Sequence, residues 1–330
     1  MKSVLRKKSF SDTAFLLAVT IGLFVVMYVA GMIIFADQGF AKPQMFLNLF
    51  ITNAGLIVIA CGLTVVMITG GIDISVGSVT ALVCMVLAYT MEIQGMNAYM
   101  SVLLALGIGL AFGIVQGFLV AYLKIQPFIV TLACMFFGRG LTAVISKEMI
   151  SIKNETFLLW AKFKINLPFG TTNKKGVFQP AYVYPTVIIA LIIMALVFVL
   201  LKYTKFGRSL NAIGGSEQSA MMMGLNMRRT RVMAYVLSGF LAGLGGFMFC
   251  LNSSAGFVEQ ARGLELEAIS SSVIGGTLLS GGVGNPIGTL FAVLIKGTIS
   301  SIITTQGPHS SWWVRNTLPP LLWFFSVLMS

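Results

Sequence analysis

Residues 54–87 read AGLIVIACGLTVVMITGGIDISVGSVTALVCMVL, and this stretch decides the fold class. Two apolar runs, 47–69 and 76–91, are separated here by a short polar break that begins with two glycines. A helix of about 20 apolar residues crosses a hydrocarbon core of about 30 Å. Adjacent glycines let the backbone turn and leave amide and carbonyl groups that need water or a polar partner. The pattern predicts membrane-spanning helices interrupted by glycine-rich breaks.

Similar apolar runs recur along the whole chain of 330 residues, of which 57% are hydrophobic and 10% charged. Soluble domains carry roughly a quarter charged residues, so lipid must replace water around much of this surface. We predict an all-α polytopic membrane protein of about ten transmembrane helices, of which the third and eighth are short enough to be broken or re-entrant. The predicted spans are 13–36, 47–69, 76–91, 98–123, 127–144, 183–201, 232–251, 269–279, 286–304 and 312–329.

Basic residues near the span ends predict the orientation, because cytoplasmic loops are enriched in lysine and arginine. They place both termini in the cytoplasm, with the chain as a multi-pass membrane protein. The whole chain, 1–330, is then a single domain. Its parts outside the membrane are a cytoplasmic N-terminus (1–12), a polar extracytoplasmic loop (145–182) and a cytoplasmic loop (202–231).

Charge and composition exclude several classes of function. The net charge of +12 comes from residues at the ends of apolar runs, where they meet anionic lipid, and no aromatic-basic module for nucleic acid accompanies them. The four cysteines are scattered and there is one histidine, so we expect no metal site, no cofactor and no histidine-based catalysis. The chain also lacks the Gly-x-x-x-x-Gly-Lys-Ser/Thr motif that binds ATP phosphates, so we expect it not to be an enzyme.

The break at 70–79 carries two polar side chains, Asp73 and Ser75, which can cap the helix that begins near Val76. One interpretation is a polar kink beside a transport path; the other is a helix cap in headgroup water. A second break, 275–282, shares the frame Gly-Gly-x-x-x-Ser-x-Gly, which we interpret as a chemical similarity.

Two cations lie inside predicted spans, Arg139 in the fifth and Lys296 in the ninth. A central arginine in a membrane helix costs about 2.5–3.5 kcal/mol or more. Each must therefore reach the interface, backbone carbonyls or a carboxylate, and Glu265 and Glu267 are the candidate partners. A path-lining role and an inert buried ion pair both remain open.

The loop 202–231 has the most specific local pattern. Two glycines can end one helix, a serine can cap a second helix with a glutamate in its first turn, and a later glycine can stop it. This second helix has an exposed apolar face, which either binds a partner protein or lies on the bilayer. The residues concerned are Gly214, Gly215, Ser216, Glu217, Ala220 and Gly224.

At these positions the chain resembles the permeases of bacterial sugar ABC importers of the ribose, xylose and galactose type. The resemblance covers the chain from about residue 53 to residue 288. The motifs that carry it are GGIDISVGSV (70–79), FIVTL (128–132) with RGL (139–141), the segment from TKFGR (204–208) to Gly224, and ELEAI (265–269) with GGT (275–277) and GGVG (281–284).

Within this family, GGTLLSGGVG (275–284) and SSWW (310–313) resemble one of the two permeases of the galactofuranose importer. The resemblance implies a channel made with a second permease chain, different or identical, and driven by cytoplasmic ABC ATPase subunits. An extracytoplasmic binding protein would deliver the sugar, and ATP would bind only the ATPase. The residues at 214–224 would then form the coupling helix.

Residues that would line the path by position, besides those named above, are Gln116 and Thr131. Gln116 stands where the family pattern leads us to expect asparagine, and Lys296 has no counterpart role in the family. Two other functions remain as alternatives: an ABC permease for branched-chain amino acids and an ion-coupled secondary transporter. The latter needs acidic residues at helix centres, whereas the acids here lie near span ends.

Overall fold

The computed structural model describes residues 2–172 and 178–305, which form twelve α-helices, one short 3-10 helix (Ala36–Gln38) and four short strands. In chain order the elements are α1 (Lys2–Ile34), α2 (Pro43–Ile68), α3 (Val76–Glu92), α4 (Ala98–Ala121), α5 (Pro127–Ile145), β1 (Ile150–Ser151), α6 (Glu155–Lys162), β2 (Ile165–Thr172), β3 (Phe178–Val183), α7 (Pro185–Tyr203), α8 (Lys205–Gly215), α9 (Glu217–Met222), α10 (Met227–Ser253), β4 (Ala255–Gly256), α11 (Leu264–Ile274) and α12 (Pro286–Thr305).

Seven of these helices are long and apolar enough to cross a membrane, namely α1 from Ala14 onward, α2, α4, α5, α7, α10 and α12. Each coincides with a predicted span to within a few residues. The described part of the chain is therefore a mostly helical, multi-span membrane protein, as the composition predicts.

The two short predicted spans form helices that are shorter than the about 20 residues of a full membrane crossing. Helix α3 has 17 residues, and α11 has only 11, which corresponds to a length of about 16 Å. The prediction of 269–279 for the eighth span is wrong by about five residues, because the helix begins at Leu264 and stops at the two glycines that follow Ile274. The predicted tenth span, 312–329, lies outside the described residues.

The predicted polar loop 145–182 is a small folded cap that contains strands, which the all-helical prediction did not include. It contains α6 and the antiparallel strand pair β2–β3. Strand β1 pairs with β4, so the cap is joined to the end of α10.

Helix α2 is the centre of the bundle. Every residue from Asn53 to Ile68 is buried, so protein surrounds this helix on all sides. It packs against α10, α12, α7 and α11, and α10 also packs along α4. The last contact is close because glycines face each other: a methyl group on Gly239 would overlap the carbonyl oxygen of Gly109. Small residues at such a crossing let two membrane helices approach without a hydrophobic driving force.

Candidate functional site

The loop between α7 and α10 folds as the glycine and serine pattern predicts. Helix α8 ends at Gly215, and the Ser216 side chain caps α9 by accepting a hydrogen bond from the Ser219 amide at 3.2 Å. Glu217 lies in the first turn of α9, and Gly224 has a left-handed backbone (φ +71°) after its end. The predicted caps are confirmed.

Helix α9 exposes an apolar face. The side chains of Met221, Met222 and Met223 are exposed, whereas Ala220 is buried. Methionine is flexible and polarisable, which suits it to contact a partner whose surface changes shape. This face has no partner within the described residues.

A cluster of glycines joins the loop to the membrane core. The Gly282 amide donates a hydrogen bond to the Ile68 carbonyl at 2.8 Å, and a methyl group on Gly214 would overlap both partners. A methyl group on Gly281 would lie 2.7 Å from the Gly70 nitrogen and 3.1 Å from the Gly214 Cα. We call Gly70, Gly214, Gly281 and Gly282 the glycine junction. In it the end of α8 touches the second break and the last residue of α2, and the second break in turn touches the first, backbone against backbone.

An ion pair ties α9 to α10. The Arg231 guanidinium donates two hydrogen bonds to the Glu217 carboxylate, at 2.8 and 3.2 Å. These bonds hold the pKa of Glu217 below its ordinary value. The pair therefore persists at neutral pH and weakens only in acid, as the pH falls through that lowered pKa.

Three of the predicted path residues form one buried network. Asp73 accepts hydrogen bonds from the Ser75 amide at 3.0 Å, the Ser75 hydroxyl at 2.7 Å and the Ser238 hydroxyl at 3.0 Å. The Gln116 amide nitrogen donates to the Ser75 hydroxyl at 2.6 Å. The Asp73 side chain is 1% exposed, so the network lies inside the protein between α3, α4 and α10. Ser238 is a member that the sequence reasoning missed.

Helix α3 is capped differently from the prediction. The Ser75 hydroxyl donates to Asp73 instead of accepting from an amide of the first turn, so Ser75 makes no side-chain cap. Asp73 accepts the Ser75 amide instead and closes a local turn before the helix. Thr131, which was also predicted to line the path, lies next to this turn, and its hydroxyl donates a hydrogen bond to the Ile72 carbonyl at 3.3 Å.

Arg139 binds backbone carbonyls, one of the outcomes that the sequence allowed. Its guanidinium donates to the carbonyl oxygens of Val258, Gln260 and Ala261, at 3.0, 2.6 and 3.1 Å. The arginine thereby holds the loop that leads into α11. No salt bridge joins Arg139 to Glu265 in the described chain. One Glu265 oxygen instead lies against Gly77, where a methyl group would overlap it.

Lys296 pairs with Glu267, one of the two partners predicted for it. The ammonium lies 2.9 Å from the carboxylate, and the two side chains are 16% and 20% exposed. Lys296 also borders a polar cavity of about 410 Å³ between α2 and α12, which Asn48, Ser300 and Thr304 help to line.

We expect Lys296→Met to destabilise the protein by about 2 kcal/mol, because it leaves the largely buried Glu267 carboxylate without its cation. The double variant Lys296→Met/Glu267→Gln should recover part of this loss, since it removes the orphaned charge as well. Thermal unfolding in detergent measures both. A double variant that is no more stable than the single one would contradict this account.

The predicted residues thus fall into three groups. One is the Asp73 network with Thr131 beside it, the second comprises Arg139, Glu265 and the Glu267–Lys296 pair around α11, and the third is the loop with the glycine junction. Within 2–172 and 178–305, no three His, Cys, Asp or Glu side chains come together in a way that could hold a metal ion.

Residues 45–327 match the protein family described as the branched-chain amino acid transport system / permease component. The chain is 39% identical over 313 residues to the inner membrane ABC transporter permease protein YjfF of Escherichia coli (strain K12), covering 94% of this chain and 91% of that protein. No solved structure matches the chain.

Two further relatives are named for sugars. The ribose import permease protein RbsC of Bacillus subtilis (strain 168) is 35% identical, over 88% of this chain and 85% of the relative. The fructose import permease protein FruG of Bifidobacterium longum (strain NCC 2705) is 32% identical, over 88% and 83%. Since both the family match and these relatives span most of its length, the chain belongs to the branched-chain amino acid transport system / permease component family, in company with permeases of sugar ABC importers.

Proposed function

We propose that the chain is the membrane permease subunit of an ATP-driven monosaccharide importer, with a galactofuranose-like sugar or a related pentose or hexose as its substrate. The observation that carries this proposal is the α8–α9 loop. It presents an exposed methionine face on one side, and on the other it touches the second glycine-rich break and the last residue of α2, next to the first break. A segment built in this way can pass the motion of an external motor to the membrane core.

The proposal assigns a partner to each side of the membrane. A cytoplasmic ABC ATPase binds the coupling loop, 202–231, and it alone binds and hydrolyses ATP. A second permease chain, either different or a copy of this one, completes the channel of about ten segments per chain. A sugar-binding protein docks on the opposite side, where the cap 145–182 lies. Both termini are cytoplasmic in this arrangement.

The buried polar groups are proposed to serve the path. An acid or amide deep in a membrane protein is tolerated only where polar groups or water hydrogen-bond to it. Asp73, Ser75 and Gln116 form such a group, and the Lys296–Glu267 pair beside its polar cavity forms another. A sugar offers hydroxyl groups that can hydrogen-bond to both.

The sugar assignment is favoured over amino acids because the names of the relatives specify ribose and fructose. The family description mentions branched-chain amino acids. Ligand binding by the extracytoplasmic protein that delivers the substrate separates the two classes directly.

The coupling role predicts that Glu217→Arg and Gly215→Arg each reduce ATP-driven uptake at least tenfold and weaken co-purification of the ATPase. Glu217→Arg places two arginines where the ion pair stood, and Gly215→Arg adds a bulky cation at the end of α8. Uptake is measured in proteoliposomes that contain the complete importer.

The matched control is Gln94→Arg, which adds the same charge as Gly215→Arg to an exposed loop between α3 and α4. It should leave uptake and co-purification unchanged. If both loop variants retain transport and ATPase association, the coupling assignment fails. If uptake occurs with an ion gradient and no ATP, the importer assignment fails with it.

A further inference from the structure

A cavity of about 460 Å³ lies beside the coupling loop. It is bounded by α9, by the first three turns of α10 and by the turn that connects α4 to α5. Its inner wall is the backbone of the break at Gly70 and Gly71. The cavity therefore borders both α9 and Gly70, which belongs to the glycine junction.

The side chains around this cavity carry an excess of positive charge. Lys124, Arg228 and Arg231 line it, and Glu217 is the one acid among its lining residues. Glu217 forms an ion pair with Arg231. Lys124 and Arg228 have no carboxylate within ion-pair distance in the described chain. The Arg228 guanidinium lies over the Tyr122 ring at 5.8 Å, an arrangement that holds the cation in place without neutralising it.

A buried hydroxyl without a partner lies at the inner end. Tyr235 lines the cavity, its side chain is 0% exposed, and its hydroxyl has no hydrogen-bond partner among the described residues. A methyl group on Gly71 would lie 2.6 Å from this oxygen, so the hydroxyl rests against the bare backbone of the break. An unmade hydrogen bond in the interior is costly, and an acceptor placed in the cavity would remove that cost.

We propose that this cavity binds a phosphate-bearing anion. Arginine and lysine recognise phosphate oxygens through charge-assisted hydrogen bonds, and the Tyr235 hydroxyl supplies one neutral donor from the inner end. The phosphate comes either from an anionic phospholipid headgroup or from free phosphate in solution. A bound anion competes with Glu217 for Arg231, so occupancy loosens the tie between α9 and α10. The binding site itself does not rest on the proposed function; only an effect of this loosening on coupling to the ATPase does.

The test measures binding to the purified full-length chain, without the ATPase. Two probes distinguish the sources: phosphatidylglycerol against phosphatidylcholine, counted by native mass spectrometry after delipidation, and inorganic phosphate, measured by equilibrium dialysis. The variants are Arg228→Gln and Tyr235→Phe. Arg229→Gln is the control, because it removes the neighbouring exposed cation, which does not line the cavity.

We expect Arg228→Gln to weaken binding about tenfold and Tyr235→Phe about threefold to tenfold, while Arg229→Gln stays within about twofold of the original chain. Tyr235→Phe is the more discriminating variant, since it removes a hydroxyl and no charge. Binding of phosphatidylglycerol alone supports the site and assigns it to lipid, and binding of phosphate alone supports it and assigns it to a soluble anion. The proposal is overturned if neither probe binds, or if both cavity variants bind as well as the control. Neither result depends on ATP-driven uptake, so it can be told apart from a failure of the importer assignment.

Discussion

Gly214→Ala is expected to reduce transport at least tenfold. The new methyl group would overlap the Ile68 carbonyl oxygen and the Gly282 nitrogen. Both are backbone atoms, which cannot rotate away as a side chain can, and the Gly282–Ile68 hydrogen bond runs between them. Forcing one methyl group into such a contact costs about 1–3 kcal/mol, to which the lost hydrogen bond adds about 1 kcal/mol. We expect ATP-driven uptake to fall at least tenfold in proteoliposomes that contain equal amounts of folded protein.

The adjacent residue provides the control. A methyl group on Gly215 would meet no atom within 4 Å. Gly215→Ala should therefore leave uptake unchanged and stabilise the end of α8 slightly, since alanine favours helix more than glycine does. Equal uptake by the two variants would show that the glycine junction has no mechanical role.

Arg139→Leu is expected to destabilise the protein by about 3–5 kcal/mol. The substitution leaves three carbonyl oxygens, those of Val258, Gln260 and Ala261, without their charged donor. Hydrogen bonds to charged groups contribute about 1.5–3 kcal/mol each. Thermal unfolding in detergent, followed by loss of the monodisperse peak in size-exclusion chromatography, measures the effect.

Arg262→Gln tests whether any arginine of this region would give the same result. Arg262 forms an exposed pair with Glu259 at 2.6 Å, and its side chain is 79% exposed. Exposed pairs contribute about 0–1 kcal/mol, so this variant should unfold within a few degrees of the original chain. Similar losses for Arg139→Leu and Arg262→Gln would contradict the role of Arg139 as the clamp of this loop.

The features that could be predicted from the sequence depend on neighbouring residues or on a small choice of partners. The caps of α8 and α9 follow from glycine and serine at fixed offsets, because capping is a matter of one helical turn. The pairing of Lys296 with Glu267 was also among the expectations, since a cation inside a span needs a partner and few acids are available.

The features that could not be predicted depend on long-range packing. The two glycine-rich breaks share a sequence frame, but the frame does not reveal that Gly281 lies against both Gly70 and Gly214. Ser238 and Tyr235 also look like ordinary residues of an apolar helix in the sequence. Their importance appears only when α10 is placed against α3, α4 and the break. The length of α11 was missed because its first turn holds two glutamates, which the apolar pattern excludes.

The shortness of α11 has a consequence for biogenesis. An 11-residue segment that opens with two acids cannot leave the insertion machinery for lipid by itself, because a stable crossing needs about 20 apolar residues. Its neutralising lysine lies on α12, the next helix to be synthesised. We therefore expect α11 to insert only after α12 has been synthesised, so that the two helices enter the bilayer together and pack beside α2. A released chain truncated before residue 296 should leave α11 open to protease, whereas one truncated after residue 305 should protect it.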